Sequence, residues 1–231
     1  MKDLNEIIIP HFNNFSLLST KVVNFYTWVK CIELINNKKY KNEKDFYVFL
    51  SLYASIGRGP SKKVKEIYPN LIPAIKPTYI KPKDELSEYW LSGYFCMYCN
   101  FNVDVNPHGW KNTYYNRVVP SFNFSRTIEE LPLMELIASY FNVTPNIRSN
   151  KLRVDVNVYG LDKLKIIMDL FFSFPLIGVK QREFVKWSEI VNKLCSISNI
   201  PADFGLSLDN FMPMFYTMIK ELNDIRNLNK S

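Results

Sequence analysis

The sequence predicts an α+β protein. Three segments alternate apolar and polar residues with a period of two, amphipathic helical patterns stand before and after them, and one helix–turn–helix pattern occurs twice.

The duplication orders the rest. Ile7 to Trp28 (IIIPHFNNFSLLSTKVVNFYTW) realigns without a gap on Ile166 to Trp187 (IIMDLFFSFPLIGVKQREFVKW), so that Phe12 falls on Phe171, Phe15 on Phe174, Lys21 on Lys180, Phe25 on Phe184 and Trp28 on Trp187. Each copy reads as the end of one helix, a turn, and a second helix. That second helix carries Phe and Trp at i and i+3, which places both on one buried face. Between the copies, prolines at 60, 69, 73, 77 and 82 mark a linker in which helices cannot persist.

Leu86 to Tyr98 then has a helical pattern. Three alternating runs follow: Phe101, Val103 and Val105 against Asn102, Asp104 and Asn106; Phe122 and Phe124 against Ser121, Asn123 and Ser125; Leu152, Val154, Val156 and Val158 against Arg153, Asp155, Asn157 and Tyr159. Such segments form a sheet with one dry and one polar face. Asn106-Pro-His-Gly-Trp110 is expected as a hairpin loop, its His108 and Trp110 either packed locally or reaching a sugar or base. Thr127-Ile-Glu-Glu130 is expected as a capping box opening a helix through Leu133, Leu136, Ile137 and Tyr140. A last amphipathic helix is expected from Phe211, Met214, Met218, Leu222 and Ile225.

At 231 residues, 47% hydrophobic and 15% aromatic, the chain can bury one large core or two small ones. The net charge of +7 fits a polyanionic partner. Abundant Asn, Lys, Ile, Tyr and Phe is what AT-rich codons specify, so an organelle genome is the expected source. The N-terminus carries neither a signal nor an arginine-rich transit pattern. Its apolar runs, such as Ile166 to Phe174 and Phe211 to Ile219, fall short of the roughly 18–20 residues of a membrane span. Four cysteines in a chain of this length are expected as reduced thiols, and Cys96-x-x-Cys99, with no second pair and no histidine at ligand spacing, is not expected to hold zinc.

Several ordered segments resemble two-repeat mitochondrial LAGLIDADG homing endonucleases. These are Pro60-Ser-Lys-Lys-Val-Lys-Glu-Ile-Tyr-Pro69, Trp90-Leu-Ser-Gly-Tyr-Phe-Cys-Met-Tyr-Cys-Asn-Phe101, Val119 to Thr127, Leu136 to Phe141 and Phe174-Pro-Leu-Ile-Gly-Val-Lys180. The family's second motif typically reads W-L-x-G-F-x-D-x-E-G-x-F. The resemblance implies an αββαββα repeat whose antiparallel, saddle-shaped sheet lies on nucleic acid. It also implies motif helices packed together through small residues, here Ser92, Gly93 and Cys96. Residues 1–59 are then a helical remnant of a first repeat that should have begun well before Met1, residues 60–85 the proline-rich linker, and residues 86–231 the second repeat with its C-terminal helices.

The same resemblance places Tyr98 where the family carries its metal-binding acid, Cys96 at the preceding acid and Cys99 at the following glycine. None of these suits Mg²⁺, which wants carboxylate oxygen. The expectation is therefore a non-enzyme without metal or cofactor, with Asp104 and Asp155 as the remaining acids on the polar strand face. Arg126 stands where relatives often carry Gln, and Lys21 and Lys180 at a basic position beside their active site. Lys111, Arg117, Arg126, Arg148, Lys151 and Arg153 are expected to meet phosphates from loops or the polar sheet face. The leading expectation is an RNA-binding component of a mitochondrial ribonucleoprotein, a ribosomal protein, with rRNA or intron RNA and neighbouring proteins as partners and a separate chain supplying the missing half-repeat. The alternatives are an intron-encoded DNA endonuclease half or a group I splicing maturase.

Overall fold

The computed structural model describes residues 1–57, 59–79, 86–110, 113–198 and 208–228. The chain forms two compact units, Met1–Pro82 and Lys83–Ser231.

In the first unit a π-helical turn (Leu4–Ile8) leads into α1 (Ile9–Asn14), followed by α2 (Lys21–Asn36) and α3 (Glu43–Ser55). The side chain of Asn42 caps α3 by accepting from the Lys44 N–H at 2.9 Å. Phe25, Cys31 and Ile32 of α2 and Leu50 and Ala54 of α3 are buried. The proline-rich stretch does hold a helix, α4 (Lys62–Ile67), because Pro60 and Pro69 bracket it and Ser61 caps it by accepting from the Val64 N–H. Beyond Pro69 the chain runs extended and is tied down. Ser51 Oγ donates to the Ile72 carbonyl at 2.7 Å, the Ala74 N–H to the Ser51 carbonyl at 2.9 Å, and Lys76 Nζ to Asn24 Oδ1 at 3.0 Å.

The second unit runs α5 (Glu88–Tyr98), β1 (Asn100–Trp110), β2 (Thr113–Thr127), α6 (Leu131–Tyr140), β3 (Asn146–Arg148), β4 (Arg153–Val158), α7 (Leu161–Ser173), α8 (Val179–Ser198) and α9 (Met212–Asn227). The expected αββαββα order is present, extended by two helices. The four strands form one antiparallel sheet in the order β1-β2-β4-β3. Register sets Phe101 opposite Phe122, Phe122 opposite Val158, and Phe124 opposite Val156. These residues line the helix-facing side, where Phe95 of α5, Phe141 after α6, Phe171 of α7, and Phe184 and Trp187 of α8 are completely buried. Ring centroids of Phe95 lie 5.0 Å from Phe122 and 4.9 Å from Phe124, and Phe171 lies 6.0 Å from Phe101. These three pairs meet edge to face, as the ring quadrupoles favour.

The internal repeat is realised in three dimensions. In the first copy the Phe15 N–H donates to the His11 carbonyl at 2.8 Å and Phe12 meets Phe25 at 5.4 Å. In the second the Phe174 N–H donates to the Leu170 carbonyl at 2.8 Å and Phe171 meets Phe184 at 5.5 Å. Trp28 is half-buried, whereas Trp187 is sealed.

Four local expectations change. The capping box at Thr127 does not form, because Glu130 turns to Arg126 instead of reaching back to the cap; a 3₁₀ turn (Ile128–Glu130) opens α6. Residues 106–110 continue β1 rather than form a loop, and residue 107 can be proline because β1 is an edge strand. Leu152 is not in the strand: it takes φ 48° and is exposed, ending a 3₁₀ turn. Strand β3 went unpredicted because its three residues are all exposed and carry no alternation. The last helix is present, and Met212 and Phe215 complete its buried stripe with Leu222.

Phe171→Ala is expected to destabilise the second unit by roughly 3–5 kcal/mol in urea denaturation, since its partners cannot collapse into the space. The equivalent Phe12→Ala, at a half-buried position, should cost clearly less.

Candidate nucleic-acid interface

The face of the sheet opposite the aromatic core is polar by register. Asn100, Asn102, Asp104 and Asn106 of β1 stand beside Asn123, Ser121, Val119 and Arg117 of β2. Asn123 and Ser125 stand in turn beside Asn157 and Asp155 of β4. At the far edge Asn146 and Arg148 of β3 pair with Asp155 and Arg153. This face follows from the period of two: once the aromatic residues are buried, every alternate side chain must point away from the core.

The expected phosphate contacts fall in different places. Arg117 is exposed on the polar face, and Lys151 is exposed in the 3₁₀ turn before β4. Arg148 and Arg153 both pair with Asp155, the latter at 2.8 Å, and Arg153 also donates to Ser125 Oγ. Their positive charge is thereby partly neutralised within the protein. Arg126 departs from the set: it shares the helix-facing side with Phe122 and Phe124. Lys111 lies outside the described residues, as do the side chains of His108 and Trp110. Lys21 is exposed at the start of α2 in the first unit.

The foot of α5 is built around Tyr98. The Arg126 guanidinium lies 4.0 Å from the centre of its ring, close enough for a cation–π contact. Arg126 Nη2 also donates to Glu130 Oε1 at 2.9 Å. That bond to a nearly sealed carboxylate holds the guanidinium pKa above its ordinary value, against the opposing effect of burial. Cys99 is buried with its thiol donating to the Phe95 carbonyl at 3.0 Å, and burial pushes its pKa far up, so it is a neutral thiol. Cys96 Sγ accepts from the Ile177 N–H at 3.2 Å. A hard divalent cation does not fit this place, where Arg126 takes up the Glu130 carboxylate and the motif positions carry a phenol and thiols rather than carboxylate oxygen. Among the described residues no group of three or more His, Cys, Asp or Glu converges on one point.

Ser92 is buried and donates to the Pro175 carbonyl at 2.9 Å, so Ser92 and Cys96 both meet the turn between α7 and α8. Gly93 faces open space, in an exposed stripe with Tyr89 and Met97.

Beside Cys99 lies a charge cluster that sequence reasoning missed. Lys180 Nζ sits 2.9 Å from Glu183, and Arg226 of α9 approaches the same buried carboxylate at 3.8 Å. Arg226 also donates to Asn102 Oδ1 at 3.3 Å, and burial lowers its pKa. The signal was the Glu at i+3 from Lys180 on a helix face that otherwise buries Phe184 and Trp187; only the fold reveals α9 closing over it.

Comparison with known proteins follows this geometry. Residues 91–191 match the family model described as LAGLIDADG endonuclease. The chain is 26% identical over 205 residues to probable intron-encoded endonuclease 3 of Neurospora crassa, covering 88% of this chain and 38% of that protein. It is 23% identical over 198 residues to probable intron-encoded endonuclease 2 of the same organism, covering 80% and 42%. The chain thus spans about two fifths of the curated relatives it matches. Among solved structures it resembles the I-SmaMI LAGLIDADG homing endonuclease bound to cleaved DNA, with TM-score 0.78 and 21% identity over 96% of this chain and 70% of that one. It also resembles I-GzeII in complex with its DNA target, with TM-score 0.74 and 22% identity over 96% and 72%. These relatives correct the expectation, drawn from Tyr98, that the chain is no enzyme. Proteins named as endonucleases surround it, and Tyr98 reports on one motif position only.

Two outcomes test the site as built. Arg126→Ala should lower stability by roughly 3–5 kcal/mol in a urea melt, and the pair Arg126→Ala with Glu130→Leu should lose much less. The folded Cys99 thiol keeps its proton where an unfolded one releases it. Its contribution is therefore complete below the ordinary thiol pKa of about 8.5 and is lost as pH rises beyond it. Melts taken across that pH should fall in the native protein and fall less steeply in Cys99→Ala, where buried Cys31 still contributes a slope of the same sign.

Proposed function

We propose that this chain, whose residues 91–191 match the LAGLIDADG endonuclease family model, acts in DNA cleavage of the intron-encoded type, holding duplex DNA on the polar face of its sheet. The observation that carries the reading is the sheet itself: a four-stranded antiparallel surface whose outer face is mainly polar among the described residues, on a fold shared over 96% of the chain with endonucleases solved on DNA. In this reading the phosphate backbone is met by Arg117 and Lys151, and Lys180 lies near the foot of α5 as a second cation. The carboxylates that cleavage requires come from outside the foot of α5, whose residues do not suit a metal ion.

One observation favours a second reading, RNA held within a mitochondrial ribonucleoprotein. The foot of α5, with Arg126 held over Tyr98 and tied to Glu130, gives no seat to the metal ion that cleavage needs, whereas holding RNA needs none. One experiment decides between them. The full chain is challenged with random duplex DNA and random structured RNA over a range of KCl, and the retained duplex is then incubated with Mg²⁺ and examined for nicks. Retention of duplex DNA with Mg²⁺-dependent strand scission is the expected result. Retention of RNA alone would overturn it. Arg117→Ala should weaken duplex binding evenly across sequences and reduce the salt slope by about one.

A further inference from the structure

Register places three asparagines abreast on the polar face: Asn100 of β1 opposite Asn123 of β2, and Asn123 opposite Asn157 of β4. Asn100 is exposed, and the other two are partly so. Their side-chain amides make no hydrogen bond with the described residues, unlike Asn102, which takes Arg226. Asn106 is exposed farther along β1 on the same face, opposite Arg117. We propose that this row of amides reads adenine in the major groove and gives the bound duplex an A·T-rich recognition core. The proposal rests on the DNA-holding reading above.

The chemistry selects the base. A primary amide offers one donor and one acceptor side by side, which matches the N7 acceptor and N6 donor of adenine; guanine presents two acceptors and asks for two donors, as a guanidinium provides. On this face the guanidiniums nearest the row are already engaged, since Arg148 and Arg153 share Asp155. The amides are therefore the uncommitted readers at its centre. Three neighbouring strands set the row about 10 Å wide, which fits inside a major groove of about 12 Å. Buried Phe101, Phe122 and Val156 fix the register from beneath, so the row is rigid before DNA arrives.

The test is repeated selection from a random duplex library by the full chain, with sequencing of the retained pool. Enrichment of adenine at two or more adjacent positions is expected. Asn123→Ala and Asn157→Ala should each relax that preference on the order of tenfold at one position, with the salt slope unchanged. Asn123→Arg should move the preference at its position toward guanine. Unchanged thermal melts of these surface variants exclude a folding defect. Salt-dependent retention of duplex without adenine enrichment, or enrichment indifferent to the asparagines, overturns this inference while leaving the DNA-holding reading intact. Failure to retain any duplex overturns both.

Discussion

The second unit depends on the packing of Phe95 against the inner face of the sheet. Its ring meets Phe122, Phe124, Phe141 and Phe171 at centroid distances of 4.9–5.9 Å, so one side chain of α5 touches β2, the end of α6 and α7 at once. Because strand side chains alternate with a period of two, a slip of one residue in β2 would drive Phe122 and Phe124 into solvent and bury Asn123. The aromatic cluster therefore does more than stabilise: it dictates which residues face outward. The polar surface is a consequence of the core.

How much of this was legible in the sequence depended on how far each signal was local. The alternating runs around Phe101, Phe122 and Val156 announced the strands, and the duplicated Phe and Trp spacing announced two helix–turn–helix copies whose capping bonds the structure reproduces. The six elements after α5 follow the order that the family resemblance implied. What stayed hidden was non-local. Glu130 was assigned to Thr127 from spacing, but Arg126 stands closer to a charge-assisted bond and wins it. Glu183 and Arg226 are separated by most of α8 and α9, so nothing short of the fold brings them together. Arg126 reads as polar in a strand pattern, yet parity with Phe124 puts it on the inner side, where Tyr98 receives it.

The placement of charge separates the two sides of the sheet. Among the described residues, Arg126 pairs with Glu130 on the inner side, and Lys180 and Arg226 gather on the buried Glu183. Outside, Asp155 on the central strand β4 holds Arg148 of the edge strand β3 and its own neighbour Arg153. Beside that neutralised set the outer face carries short amides and hydroxyls at Asn100, Asn123, Ser125 and Asn157, so the net charge of +7 acts from elsewhere on the protein.

Both margins of the sheet are blunted. Along β1 the Asn102 carbonyl already accepts the Trp187 indole N–H at 3.1 Å, and residue 107, a proline, has no N–H to offer. The opposite margin is β3, only three residues long and bearing Arg148 at its end. A sheet finished in this way is a poor template for a further strand at these places, whether from a peptide ligand or from a misfolded neighbour. Partner recognition by strand addition, and fibril nucleation by the same route, are opposed by how its borders are made.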